Sequence, residues 1–272
     1  MGAGRTRIHA IHECGRLPAF GVVSIMKILC FIAFSLAMSM SAQASQNEPA
    51  PDAVGSWLHQ RAMQAAMQEA SAMGRSSASV GSYQMVKLAD LDAPREVKQQ
   101  LRDDIERSNG VVRVAAGSIP TQAEMLAAVP RTHRSTPELR QRLPQPPSRL
   151  ESSLLGAAEM IGMEPSGALE DGKSSGLSRF YRLEGVGIVE FSENNFLAAG
   201  MQIEVIAEAQ NTVVDGKPAH LGKVVDSIGR TRVGLAWTGD SKTYSLTVTG
   251  EPGSDVERNA RVLHDIAAAI VD

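Results

Sequence analysis

Cysteine is nearly absent from this sequence. The 272 residues hold two, Cys14 and Cys30, so everything beyond position 30 lacks a disulfide, a thiol nucleophile and a thiolate metal ligand. Aromatic residues make up 4% of the chain, which leaves little of the stacking surface on which sugar sites are built. Charge of one sign is missing as well: 27 basic residues stand against 30 acidic ones, a net charge of −3, which argues against nucleic acid as a main partner. Long apolar runs are absent too. The longest, Ile28 to Met40, is too short to cross a bilayer as a helix.

That run nevertheless has a meaning. It follows Met26-Lys27 and precedes the small residues of "SAQAS", in the order of a secretory signal peptide: positive charge, apolar stretch, small residues at Ala42 and Ala44. The sequence predicts translation from Met26, with residues 1–25 an over-extended start, a signal peptide over residues 26–44, and cleavage after Ala44. His9, His12 and Cys14 have ligand-like spacing but fall in that leading stretch, so no metal is expected from them. Cys30 lies near the beginning of the apolar run, where it is misplaced for a lipid anchor. Cleavage removes Arg5, Arg7, Arg16, Lys27 and Glu13, taking the basic count from 27 to 23 and the acidic count from 30 to 29, a net charge of −6 on 228 residues. The expected product is a cysteine-free protein of the periplasm or the medium, large enough to bury a core without covalent cross-links.

Past the leader the chain reads as α+β: a helical N-terminal region at 45–129, a Pro/Arg-rich linker at 130–149, and at 150–272 an antiparallel β-sheet packed by an N-terminal and a C-terminal helix. "DAVGSWLHQRAMQAAMQEASAMG" and "APREVKQQLRDDIERSNG" repeat apolar residues at helical steps. "GVVRVAAG" is a strand, and "TQAEMLAAV" a short helix whose Thr121 and Glu124 have the spacing of a capping box. The stretch from Pro130 to Arg149 carries five prolines and five arginines in twenty residues, which predicts an extended spacer. "SRLESSLLGAAEMIGM" reads as a helix, and period-two strands follow at "LSRFYRLEG", "VGIVEFSE" and "MQIEVIAEAQ". "TRVGLAWTG" and "KTYSLTVTG" form a hairpin that turns Val233, Leu235, Trp237, Tyr244, Leu246 and Val248 inward. In the last segment Val256, Ala260, Leu263, Ile266, Ala267 and Ile270 make a helical packing face.

"GALEDGKSS" spells the phosphate-binding pattern GxxxxGK[ST] through Gly167, Gly172, Lys173 and Ser174. The context is inverted. A phosphate loop leaves a buried strand and opens a helix, whereas here a proline-bearing segment leads in and a strand pattern leads out, with Glu170 and Asp171 where phosphates would sit. The match is read as spurious, and no cofactor is expected. His59, His133, His220 and His264 are scattered; His220 with Asp226 and a serine would be one assembly of base, orienter and nucleophile. Paired carboxylates are the other catalytic candidates: Glu190 with Glu193 near a strand end, and Asp90 with Asp92, positioned for acid and base work on a glycosidic bond. The five linker arginines, Arg131, Arg134, Arg140, Arg142 and Arg149, match contact with an anionic surface, since guanidinium pairs with phosphate in a forked geometry.

The expectation is an exported, non-catalytic binding protein of the bacterial envelope whose partner is another envelope or incoming protein; an inhibitor or immunity protein is its specific form. A cell-wall or glycan hydrolase using Glu190 and Glu193 is the alternative, and an apolar-ligand (lipid) module the third reading.

Overall fold

A computed structural model of the chain describes residues 52–72, 81–130, 134–170 and 173–272. The leader, the cleavage position, His9, His12, Cys14, Arg131, His133 and Gly172 lie outside the described residues.

The described residues form an α+β fold centred on one large mixed sheet. Its strands are β2 (Val111–Val114), β3 (Glu159–Glu170), β4 (Lys173–Leu183), β5 (Gly187–Asn195), β8 (Lys217–Asp226), β9 (Thr231–Thr238) and β10 (Lys242–Gly250), in the order β2-β8-β9-β10-β5-β4-β3, with the short β7 (Thr212–Val214) also pairing with β8. The β9–β10 hairpin has the expected register: Trp237 pairs with Tyr244, Leu235 with Leu246 and Val233 with Val248. All six side chains are buried. Helix α5 (Val256–Ala268) lies over this face with Ala260, Leu263, Ile266 and Ala267 turned in. Asp255 caps it, accepting from the amides of Glu257 and Arg258. Each fully buried Leu or Ile there contributes about 1.5–3 kcal/mol of transfer free energy.

The N-terminal residues pair and pack with residues from beyond the Pro/Arg-rich stretch. Helices α1 (Ala53–Ala72) and α2 (Arg95–Ser108) bury Val54, Trp57, Val97 and Leu101 in a second apolar cluster that also takes in Ile206. Strand β1 (Ser82–Val86) pairs in parallel with β6 (Gln202–Ile206), and β2 pairs in parallel with β8. Two strands from before the Pro/Arg-rich stretch therefore complete sheets from after it, and the expected all-antiparallel sheet is mixed.

That stretch also departs from the spacer expected of it. Helix α3 (Gln122–Ala128) precedes it with the Thr121–Glu124 capping box in place. Within it, helix α4 (Thr136–Arg142) forms because Ser135 and Glu138 make a second capping box and Pro137 falls in the first turn, where a missing N–H costs no hydrogen bond. Leu139 and Leu143 then pack against Met163 and Leu177, which docks the stretch on the sheet. The helix expected over "SRLESSLLGAAEMIGM" is instead a 3-10 turn at Leu154–Gly156 followed by β3. Two close approaches explain it: a Cβ at Gly156 would fall 2.5 Å from the Glu151 carbonyl oxygen, and one at Gly162 would fall 2.1 Å from that of Pro130. From Glu159 onward backbone pairing with β4 outweighs the local helical spacing.

Candidate functional site

Strand geometry separates the carboxylate pair first. Successive side chains of a strand point to opposite faces, and Glu190 and Glu193 are three residues apart on β5. Glu193 shares the α5 face with Val189 and Phe191. Glu190 lies on the reverse face, where Ser192 Oγ donates to it at 3.2 Å and burial raises its carboxyl above the usual range despite that bond and the nearby Arg232. One glycosidic bond cannot meet both groups across the thickness of a sheet, so this pair does not form a hydrolase site.

Glu193 has other partners. On one face of the sheet the strand register sets Tyr244 opposite Glu193, Arg179 opposite Phe191 and Lys242 opposite Asn195. Glu193 accepts from Arg179 Nη2 at 2.8 Å, Lys242 Nζ at 3.1 Å, Ser148 Oγ at 2.6 Å and the Ser148 amide at 3.0 Å. Lys242 Nζ also donates to Ser148 Oγ at 3.0 Å, Asp272 Oδ1 at 3.2 Å and the Pro146 carbonyl at 3.3 Å. Tyr244, stacked against Trp237 with ring centroids 5.0 Å apart, donates its hydroxyl to Asp272 Oδ2. Burial and the adjoining Asp272 carboxylate push the Tyr244 phenol far above its ordinary value. For Asp272 burial acts to raise the carboxyl, but the hydrogen bonds from Ser148 and Tyr244 and the charge of Lys242 outweigh it and hold the group below its ordinary value.

Two cations thus meet two carboxylates around one serine, at the end of the sheet where the Pro144–Pro147 segment and the residues after α5 converge. Arg149 and Val271 join those two segments through paired backbone hydrogen bonds of 2.7 and 3.2 Å. A shallow cavity of about 10 Å³ lies beneath the prolines, beside Glu193, Asn195 and Lys242, room for about one water molecule. Ser148 and Lys242 have the spacing of a nucleophile and its base. Ser148 is 2% exposed, however, and Lys242 turns its N–H groups on two carboxylates, whereas a lysine base must offer a lone pair. The arrangement fastens chain segments.

The remaining candidates do not come together. His220 and Asp226 share a face of β8 but stand six residues apart, about 20 Å along a strand. His220 Nδ1 donates to the Ala209 carbonyl at 2.8 Å, while Asp226 binds Arg230 Nε at 2.8 Å. Asp90 and Asp92 are exposed in a turn rather than aligned on an extended segment. The phosphate-loop match falls on the β3–β4 hairpin: Leu169 pairs with Ser174 and Glu170 with Lys173, and no helix begins at Lys173. "GKSSG" (172–176) also spells G-x-S-x-G, the nucleophile-elbow pattern; Ser174 is 3% exposed inside β4 instead of standing on a strand-to-helix turn. Among the linker arginines, Arg140 and Arg142 are exposed at the C-terminal end of α4, where they complement the helix dipole, and Arg149 is exposed beside Val271. Arg134 is half-buried just before α4. Among the described residues no group of three His, Cys, Asp or Glu side chains is placed to hold a metal, and no helix is long and apolar enough to cross a membrane.

Ser148, Arg179, Lys242, Tyr244 and Asp272 are the functional candidates that sequence reasoning missed. A signal for three of the network's members was present in the period of the strands. Glu193 falls in step with Val189 and Phe191, Lys242 with Tyr244 and Leu246, and Arg179 with Leu177 and Tyr181: charges of both signs on otherwise apolar faces, which must find one another when buried. No protein-family model matches the chain, and comparison with curated proteins and with solved structures returns no match.

Proposed function

We infer that the chain is an exported, non-catalytic binding protein of the bacterial envelope that acts on a protein partner. The observation that carries the reading is the fate of the best catalytic candidates: Glu190 and Glu193 face opposite sides of β5, and Glu193 is wholly engaged by Ser148, Arg179 and Lys242. A stable fold with its strongest polar constellation buried suits a protein that works by contact. Support also comes from β1, which among the described residues pairs on one side alone, with β6, and presents Tyr83 and Met85 exposed at 37% and 42%; an open strand edge is a common seat for protein partners. Export by the predicted signal peptide puts this protein in the periplasm or the medium, and an inhibitor or immunity protein is the specific form of the proposal, needing only export, stability and a docking face.

Native crosslinking tests the reading, with residues 45–272 as bait in envelope extract. One partner recovered at fixed stoichiometry is the expected result. Cleavage of cell-wall glycan by the purified chain, lost in Glu190→Gln, would overturn it in favour of a hydrolase.

A further inference from the structure

Asp272 is bound as a ligand is bound. Its side chain is 55% exposed, yet both carboxylate oxygens meet groups from the interior: Oδ1 takes Ser148 Oγ at 2.6 Å and Lys242 Nζ at 3.2 Å, and Oδ2 takes the Tyr244 hydroxyl. Ser148, Lys242 and Tyr244 are 2%, 5% and 4% exposed. Each is held in place by something other than Asp272. Glu193 bonds both Ser148 and Lys242, the Pro146 carbonyl takes a further Lys242 proton, and the Tyr244 ring is stacked between Trp237 and Phe191. Removing the occupant therefore leaves its three donors standing, which is the preorganisation a binding site requires.

The occupant also shares its donors with other acceptors. Ser148 has one hydroxyl proton and two carboxylate oxygens at 2.6 Å, on Glu193 and Asp272. Lys242 has three protons and four acceptors between 3.0 and 3.3 Å. Donors are outnumbered, so Asp272 shares the protons of Ser148 and Lys242 with Glu193 and the Pro146 carbonyl. The adjacent residues hold it by few contacts: Val271, 42% exposed, by its two backbone bonds to Arg149, and Ile270 by packing against the edge of the core.

We propose that Ser148, Lys242 and Tyr244 form a carboxylate-binding socket that Asp272 fills in cis, and that an acidic residue of a partner protein fills by displacing the segment 270–272. The surroundings fit an acidic peptide. Arg149 is exposed next to Val271, and Arg142, also exposed, directly precedes Leu143, which lines the cavity beside Lys242 and Glu193. The Asp272 contact is intramolecular, so a free carboxylate competes poorly until that tethered group is removed. The inference rests on the protein-binding reading and names the chemistry of the partner.

Chemical rescue in the full chain tests it. Asp272→Ala vacates the socket, and thermal unfolding is followed by circular dichroism with Trp237 fluorescence as a local probe. Sodium acetate at 0.5 M is expected to raise the Tm of Asp272→Ala by about 2–4 °C over sodium chloride of equal ionic strength. Wild type, whose socket is full, and Lys242→Met/Asp272→Ala, whose socket is broken, show no such difference. The blocked tripeptide Ile-Val-Asp should act at concentrations at least tenfold below acetate. Equal effects of acetate and chloride on Asp272→Ala overturn the proposal. Should that variant fold only with difficulty, refolding yield replaces Tm, and equal yields in the two salts overturn it in the same way. Failed rescue leaves partner capture by the wild type intact, whereas rescue without any captured protein counts against the protein-binding reading alone.

Discussion

Replacing Lys242 by methionine separates a fastening role for Glu193 from a catalytic one. The substitution keeps the volume of the stem and removes the ammonium that Glu193 meets at 3.1 Å, inside a site where Glu193 is 4% exposed. At an effective dielectric near 20, two unit charges at that distance attract by about 5 kcal/mol, and breaking one side of a buried pair typically costs about 3–5 kcal/mol. Arg179 remains at 2.8 Å from the same carboxylate, so the lower end applies, about 3 kcal/mol. Glu193→Gln takes the carboxylate from both Arg179 and Lys242, of which Lys242 keeps Asp272 as a charged partner, and should cost about 3 kcal/mol. The double variant removes both members of the Lys242–Glu193 pair and should recover about 2 kcal/mol of the summed cost, a coupling within the range for contacting residues. Urea unfolding at pH 7, read by circular dichroism with m held constant, measures all three. Near-additive costs below about 1 kcal/mol each, or a Glu193→Gln variant more stable than wild type, refute the reasoning; the latter is what a strained catalytic carboxylate gives on removal.

Three further outcomes follow from the same geometry. Burial raises the Glu190 carboxyl above its ordinary 4.5, so the folded chain keeps this proton to higher pH than the unfolded one; the group's contribution to stability is full below 4.5 and is lost as pH rises through the folded value. Glu190→Gln should therefore leave Tm unchanged at pH 4 and raise it at pH 7, and scanning calorimetry at the two pH values checks this. Leu263→Ala opens a cavity beneath α5 at a fully buried position and should cost about 2–5 kcal/mol in urea unfolding. Ser135→Ala removes the cap of α4 and should cost about 1 kcal/mol, with faster proteolysis near residues 131–135 if the helix is what docks the Pro/Arg-rich stretch.

Legibility followed the range of the interactions. The β9–β10 hairpin and the inner face of α5 were plain because two-residue and helical periods are local, and Trp237, Tyr244 and Leu263 fall where those periods place them. The Thr121 cap was equally readable, but the identical Ser135–Glu138 box was hidden by the proline count around it. Strand β8 is hard to read because Pro218 stands near its start and Lys223 breaks the apolar phase of Ala219, Leu221 and Val225; its place in the sheet comes from β9 on one side and β2 on the other. The β3 segment carried a helical stripe that sheet pairing overrode. As for the site, Glu193 was picked out for the wrong partner. Its true neighbours, Ser148 and Lys242, lie 45 and 49 residues away in sequence; the β5–β10 register brings Lys242 to it and the segment bridged at Arg149–Val271 brings Ser148.

The measurement that bears most directly on the binding reading is a quantitative crosslinking capture from envelope extract with residues 45–272, run side by side for wild type, Glu190→Gln and Asp272→Ala. One protein partner at fixed stoichiometry is expected, kept by Glu190→Gln and altered in yield by Asp272→Ala, whose vacant socket no longer holds a competitor for the partner's carboxylate. No captured protein, together with soluble muropeptides released by wild type and absent with Glu190→Gln, would contradict it.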